Sequence, residues 1–541
     1  MGGARRSVPV WKPGKHATAT GVVCLGLFHH PLLDDISPLK TQTLGVMAPN
    51  HPLNPEAASP LYLQLQRSLR MLIQKNEWHP GMRLPAVPEL AQRFQVHRLT
   101  VLKALAGLKR TGWVQTVTGR GSFVADHLPE APALRDPESF PFQGSSLKAR
   151  EDELGPWLGE TLGRARMLES FSVNFPPADL LPGEALRRLH VQTLKELGPE
   201  AWMYGDPAGE PSYLEAISTW LAGENEAIPE GWGIRATPGA QFGLALVLES
   251  LTIPGDRVLV ESPGYVGALA LIQTLGREPV PVPVDRNGMN TERLASILQK
   301  GDAKLMFTVP TFHNPTGLTV GRTRRERILA LTRTYGVPVV EDDTYGDLRF
   351  IGARIPSCRS LPGADHVIQL GSFSKSLAAG IRLGYIIAPT RVLDRLAPIQ
   401  EVHSISVPPL SQAVVGRFIA SGAFRRHLSR LRKALRERRD AMLEAIHASF
   451  PQGSEVTEPK GGMHLWVVLP EDVSALELQR TALTHGLSFA PGPLFFPDGR
   501  GTNCLRLNFS THAPSVTRDA IARLGSLVHA RPAASNQKEL P

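Results

Sequence analysis

The sequence predicts an α/β chain in two parts: a small helical domain closed by a β-hairpin, followed by a large domain built on a mostly parallel sheet between helices. Three observations lead there. Between residues 60 and 124, apolar residues at helical spacing give way to a glycine-turned pair of short strands. Farther along, continuous apolar runs of strand length alternate with helical segments, the pattern of strands covered on both faces. And 541 residues exceed one compact domain.

The small domain opens after Pro60, where Leu61, Leu65, Leu69 and Leu72-Ile73 recur at about 3.6-residue spacing on one helix face. His79-Pro80-Gly81 ends that helix. A short second helix turns Leu90, Ala91 and Phe94 inward, with Pro88 in its first turn, where a missing N–H leaves nothing unpaired. A third helix from about His97 to Arg110 buries Val101, Leu105 and Leu108. Trp113–Val117, a turn at Thr118-Gly119-Arg120-Gly121, and Ser122–Val124 read as strand, turn, strand. This order is that of a winged helix-turn-helix. Charge agrees: Leu61 to Asp126 holds ten Lys or Arg against Glu77, Glu89 and Asp126, so +7 of the net +9 lies in one short stretch. That is the electrostatic footprint of a nucleic-acid binder.

Residues 127–167 carry five prolines and mixed charge and read as a linker, with one helix near Leu158 to Arg166. Residues 168–531 form the large domain, with strands at Arg257–Val260, Leu305–Val309, Val337–Val340 and Val367–Leu370 and a smaller C-terminal α/β subdomain. The expected domains are therefore 59–126 and 168–531. Residues 1–58 read as a disordered or untranslated extension with Met47 as an alternative start, and 532–541 as a disordered tail. Cys24, Cys358 and Cys504 are odd in number and widely spaced, which predicts neither a disulfide framework nor a metal site and fits a reducing cytoplasm. No apolar run has the length of a membrane span.

Gly81 to Pro85, Leu90-Ala91, Val96-x-Arg98-x-Thr100-Val101 and the wing Gly119-x-Gly121-x-Phe123-Val124 occur in one order, and on them residues 59–126 resemble the GntR family of bacterial regulators. The resemblance implies double-stranded DNA as partner. Arg98, Thr100 and Lys103 lie on the helix that enters the major groove, and Arg120 sits at the wing tip. Two departures stand out: Pro88 where the family carries an Arg, and Leu102 at a position that is basic in the family. Fewer phosphate contacts would weaken binding and flatten its salt dependence.

From about Phe171 to Val528 the chain resembles the fold-type I, class I and II aminotransferases, on Tyr204-Gly205-Asp206-Pro207, Thr237–Gln241, Glu261–Tyr265, His313–Gly317, Glu341–Tyr345, Gly371–Ser376, Arg382–Tyr385 and Leu505–Phe509. The implied cofactor is pyridoxal 5′-phosphate. Lys375 would form the Schiff base, which requires its amine pKa to be lowered. Asp342 would pair with the pyridine nitrogen and keep the ring an electron sink. Tyr345 and Asn314 would hydrogen-bond the ring oxygen and Tyr265 would stack on the ring. Ser372, Arg382 and the backbone at Gly239, Ala240 and Gln241 would hold the phosphate at a helix N-terminus. Tyr204 would reach the phosphate of a neighbouring subunit, which implies a homodimer. Arg506 would take a substrate carboxylate as a fork. At Phe171–Pro176 the chain lacks the glycine pair that family members often place beside the substrate, and Phe175 stands at the pocket instead.

The two resemblances together match the MocR subgroup of GntR regulators, which implies a cytoplasmic homodimeric transcriptional regulator with the cofactor, or an amino-acid adduct of it at Lys375, as effector. The alternative is a working aminotransferase close to the 2-aminoadipate and kynurenine enzymes, its DNA-binding domain vestigial. A cofactor-free scaffold is a third reading.

Overall fold

The computed structural model describes residues 60–74, 77–117, 120–128 and 168–530. The expected extension, linker with its helix near Leu158, tail and Cys24 lie outside these residues. The chain divides into two compact units, Met1–Pro141 and Phe142–Pro541.

The first unit is built from α1 (Leu61–Gln74), α2 (Val87–Arg93), α3 (Arg98–Arg110), β1 (Val114–Val117) and β2 (Gly121–Val124). Leu65, Leu69 and Ile73 lie one turn apart on α1, all buried, and share a core with Leu90, Phe94, Val101, Leu105, Leu108 and Trp113. Gly107 allows α1 and α3 to approach, because a Cβ there would sit 2.7 Å from Oε1 of Gln66. The Glu89 carboxylate takes the Ala86 N–H at 3.0 Å ahead of α2. The third helix starts one residue later than expected, because His97 caps it: its Nδ1 accepts the Leu99 N–H at 3.3 Å. The wing pairs in antiparallel register from Val114↔Val124 to Val117↔Gly121.

The second unit begins with β3 (Glu169–Ser170), and its main sheet has eight strands. They are β4 (Trp232–Thr237), β5 (Arg257–Ser262), β6 (Glu278–Asp285), β7 (Gly288–Met289), β8 (Ala303–Thr308), β9 (Val339–Asp342), β10 (Val367–Ser372) and β11 (Gly384–Pro389). Their spatial order is β4-β11-β10-β9-β8-β5-β6-β7. From β6 to β10 neighbours pair in parallel, while β11 runs antiparallel to both β10 and β4, so β4 points the same way as the parallel set. Every residue of β9 and β10 is buried, as continuous apolar runs require. A second, antiparallel sheet joins β12 (Glu455–Val456), β13 (His464–Val468), β16 (Cys504–Asn508) and β15 (Ala490–Pro491), while β14 (Leu487–Ser488) pairs with β3. Strands β4, β5, β8, β9 and β10 thus deliver their C-terminal ends, and the loops that follow, to one edge. No helix among the described residues is long and apolar enough to cross a membrane.

Candidate functional site

At that edge lies a cavity of about 260 Å³ whose walls include Asn174, Phe175, Gly239, Ala240, Gln241, Tyr265, Asn314, Asp342, Tyr345, Ser372, Lys375, Arg382 and Arg506. These come from separated segments because each parallel strand ends there, and side chains beyond strand ends are free to converge. Asp342 is the last residue of β9, and Tyr345 follows three residues on. Lys375 lies just past β10, which pairs with β9 in register Leu370↔Asp342.

Lys375 is half-buried, and its Nζ donates to the Asn174 carbonyl. Burial, then the Arg506 guanidinium, and Arg382 after it, lower its amine to about 8 against the opposing pull of Asp342. Of the two cations, Arg506 has the stronger effect. Burial pushes the Asp342 carboxyl above its ordinary value, although the Thr344 N–H donates to Oδ1 at 2.9 Å and Lys375 is near. Such a carboxylate gains most from a cationic partner delivered from outside the chain. Burial likewise raises Tyr265 to about 12 and pushes Tyr345 up, so both phenols stay protonated donors.

The anion cradle is a backbone construction. Gly239, at φ 104°, opens the helix Ala240–Leu251, so that helix's first free N–H groups face the cavity. Gly384 packs against it: a Cβ there would fall 2.5 Å from the Gly371 carbonyl oxygen and 2.9 Å from the Gly239 Cα. Arg382, exposed at the rim, donates from Nη2 to the Pro238 carbonyl at 3.0 Å and lies over Gly239. Cation and helix N-terminus converge on one point, a fit for a phosphate dianion.

The second sheet supplies Arg506 and His464. Arg506 Nη1 donates to Asn314 Oδ1 at 3.0 Å, and Nη2 donates to the Ser172 carbonyl. Its Nε is buried without a hydrogen-bond partner. Nη2 carries a second N–H, so Nε and Nη2 offer a side-on fork to a carboxylate entering the cavity.

Two residues absent from the sequence-derived set organise this wall. Asn174 donates from Nδ2 to the Tyr345 hydroxyl and to His464 Nδ1, each at 3.3 Å, and accepts from Asn508 at Oδ1. His464 must carry its proton on Nε2, because that atom bonds the His313 carbonyl at 3.0 Å and a carbonyl only accepts. Burial, then Arg506, lowers the His464 imidazole to about 3. The ring is therefore neutral at physiological pH and stands edge-on to Tyr345, 5.4 Å between centroids. Asn174 had one sequence signal, the missing glycine pair; His464 had none.

A pH prediction follows for His464. Its folded value lies below the ordinary 6.5, so the stability it contributes is complete above about 6.5 and is lost as pH falls toward about 3. His464→Gln keeps a donor for the His313 carbonyl but has no titrating proton. Acid unfolding followed by near-ultraviolet circular dichroism is expected to move to lower pH in this variant. An unchanged midpoint would remove His464 from the acid limb.

Tyr204 does not join the others within one chain: it is 77% exposed, beside Trp202 and Met203, also exposed. In the first unit, Arg98, Lys103 and Arg120 are exposed while Thr100 is half-buried.

The residues present fit pyridoxal phosphate: a half-buried lysine amine of lowered pKa, a buried carboxylate, a backbone anion cradle, and an Arg506 in the cavity wall whose Nε has no hydrogen-bond partner.

Comparison with known proteins agrees with this geometry. The family model for aminotransferase class I and II matches residues 170–524, and that for bacterial regulatory proteins of the gntR family matches residues 61–124. Aromatic-amino-acid aminotransferase 1 of Thermococcus litoralis is 30% identical, covering 74% of this chain and 96% of its own. The uncharacterized HTH-type transcriptional regulator YdfD of Bacillus subtilis is 26% identical, covering 87% of this chain and 96% of its own. Among solved structures, a kynurenine aminotransferase of Pyrococcus horikoshii in complex with PMP is 30% identical, with a TM-score of 0.67 over 71% of this chain and 96% of that one.

Proposed function

Since the chain belongs to the class I and II aminotransferases and carries a GntR-type domain ahead of that fold, we propose that it is a pyridoxal-phosphate-dependent transcriptional regulator of the MocR type, which binds operator DNA and responds to an amino-acid effector. The observation that carries this reading is extent: the match to a helix-turn-helix regulator runs through both domains, over 87% of the chain, whereas the two aminotransferases cover 74% and 71%.

Pyridoxal 5′-phosphate is the cofactor of this family. Bound here, it supplies an aldehyde that links to primary amines and a ring that draws electrons from the carbon it holds. The chain's own groups do the rest. Lys375, partly deprotonated near neutral pH, presents its amine at the cavity centre. Asp342 would hold a proton on the ring nitrogen. Tyr345, oriented by Asn174, and Asn314, oriented by Arg506, would meet the ring oxygen. Gly239, Ala240, Gln241, Ser372 and Arg382 would take the phosphate, and Tyr265 would cover the ring. Arg506 selects an effector that carries a carboxylate, and Phe175 limits the size of its side chain. The exposed run Trp202-Met203-Tyr204 supports a homodimer in which Tyr204 completes the neighbour's phosphate site. An effector shifts the regulator only by binding its two arrangements unequally.

The test is binding of cofactor-loaded protein to its own upstream DNA and to unrelated DNA at two salt concentrations. Selective binding that survives the higher salt supports regulation; equal, salt-abolished binding leaves counterion release alone and sinks it. Arg98→Ala and Arg120→Ala are each expected to reduce the salt slope by about one if the side chain meets a phosphate.

A second reading, a working aminotransferase, is favoured by the completeness of the cavity and by a 30% identical relative that bears that name. Transamination lost in Lys375→Ala would support it.

A further inference from the structure

The outward face of α3 carries an unusual arrangement for a helix in a domain with a surplus of positive charge. Leu99 is 61% exposed and Leu102 49% exposed, and Ala106 is exposed beside them. All three are free of the core that holds Val101, Ala104, Leu105 and Leu108. At about 100° per residue, Leu99, Leu102 and Ala106 form the centre line of that face. Lys103 and Arg110 fall on one flank, and Arg98 and Lys109 on the other, all four exposed. The helix therefore presents an apolar strip between two rows of cations.

On a helix lying in the major groove, cations on both flanks would meet the bordering phosphates, and the strip would face the base edges between them. The floor of the major groove is polar almost throughout. Its one apolar group on an unmodified base is the C5-methyl of thymine. A leucine driven against any other base edge would desolvate a donor or acceptor without replacing its hydrogen bond, which costs free energy. We propose that Leu99 and Leu102 are specificity-determining residues that read thymine methyl groups, so that the operator carries thymines opposite the first two turns of α3. This rests on the reading of the chain as a DNA-binding regulator and assigns the base chemistry which that reading leaves open. It also gives Leu102 a positive role: the chain exchanges a phosphate contact for a base contact.

The experiment uses the full-length, cofactor-loaded protein. Tight duplexes are selected from a random double-stranded library, and binding to a selected duplex is measured by fluorescence anisotropy. The same duplex is then made with deoxyuridine at each thymine in turn, which removes a methyl and leaves base pairing intact. Wild-type binding is expected to weaken by about fourfold for each methyl lost from a contact, at two or more positions. The variant Leu99→Ala with Leu102→Ala alters exposed side chains only and is expected to bind thymine and uracil duplexes alike. Equal wild-type affinity for both duplexes overturns the proposal, and would leave the strip as a surface for protein contact. Discrimination that persists in the double variant overturns it as well, because DNA shape would then be the cause. If selection enriches no sequence, the DNA-binding reading fails first and takes this inference with it.

Discussion

Lys375→Ala is expected to abolish covalent retention of the cofactor. After incubation with pyridoxal phosphate and borohydride reduction, wild-type protein should gain the mass of one reduced cofactor per chain, and the variant none. Any amino-group exchange should fall by about a thousandfold or more. The expectation rests on burial and charge together. The half-buried amine lies near Arg506, Arg382 and Asp342, and its value near 8 leaves about a tenth of it unprotonated at pH 7. An ordinary lysine at 10.5 offers a few parts in ten thousand at that pH. Labelling should therefore rise between about pH 7 and 9 and level off, well below the range of a surface lysine. Equal labelling of the variant would place the reactive amine elsewhere and dissolve the site as described.

The second large effect is expected at a residue outside the cavity wall. Arg325 is fully buried, 3.5 Å from the equally buried Glu341. It also donates to the carbonyls of Val320, Pro356 and Pro310 and to the Thr311 hydroxyl, at 2.9 to 3.1 Å. Pro310, Thr311 and Val320 are the two ends of the loop that carries Asn314. Arg325→Ala removes the ion-pair partner and strands four acceptors at once. Glu341, already pushed up by burial, would lose the Coulombic attraction that opposes the rise. The expected cost is about 3 to 5 kcal/mol, read as a lower midpoint in urea unfolding. Cofactor affinity should fall too, because Asn314 loses its support. A loss of affinity without a change in unfolding midpoint would mean that Arg325 acts on the site alone. A change below about 1 kcal/mol in both would show that water replaces the guanidinium.

How much of this was legible beforehand depends on the range over which each feature is encoded. The three small-domain helices and the wing were readable because a heptad-length stripe, a proline in a first turn and a glycine-bounded hairpin are local signals. The helix start slipped by one residue because His97, seldom used as a cap, takes that role. Lys375, Asp342, Tyr345, Asn314 and the Gly239–Gln241 turn were nameable because each sits in a short run beside a strand end. His464 lies in no such run, and Asn174 and Asn508 lie in runs read for other residues, Phe175 and Arg506. They matter only because the second sheet lays His464 opposite Asn508 and brings both to Asn174, more than 280 residues away in sequence.

The sequence by itself determined the two-part architecture, the small domain's helices and wing and four strands of the large sheet, since local periodicity encodes them; the site residues were named through the resemblance of short runs to a known family. Tertiary structure alone decided two things. It set which cation lowers Lys375, namely Arg506 ahead of Arg382. It made His464 a neutral ring beside Tyr345. Each of these is a matter of which side chains meet and which are shut off from water, and burial is a property of the packed chain that no single segment contains.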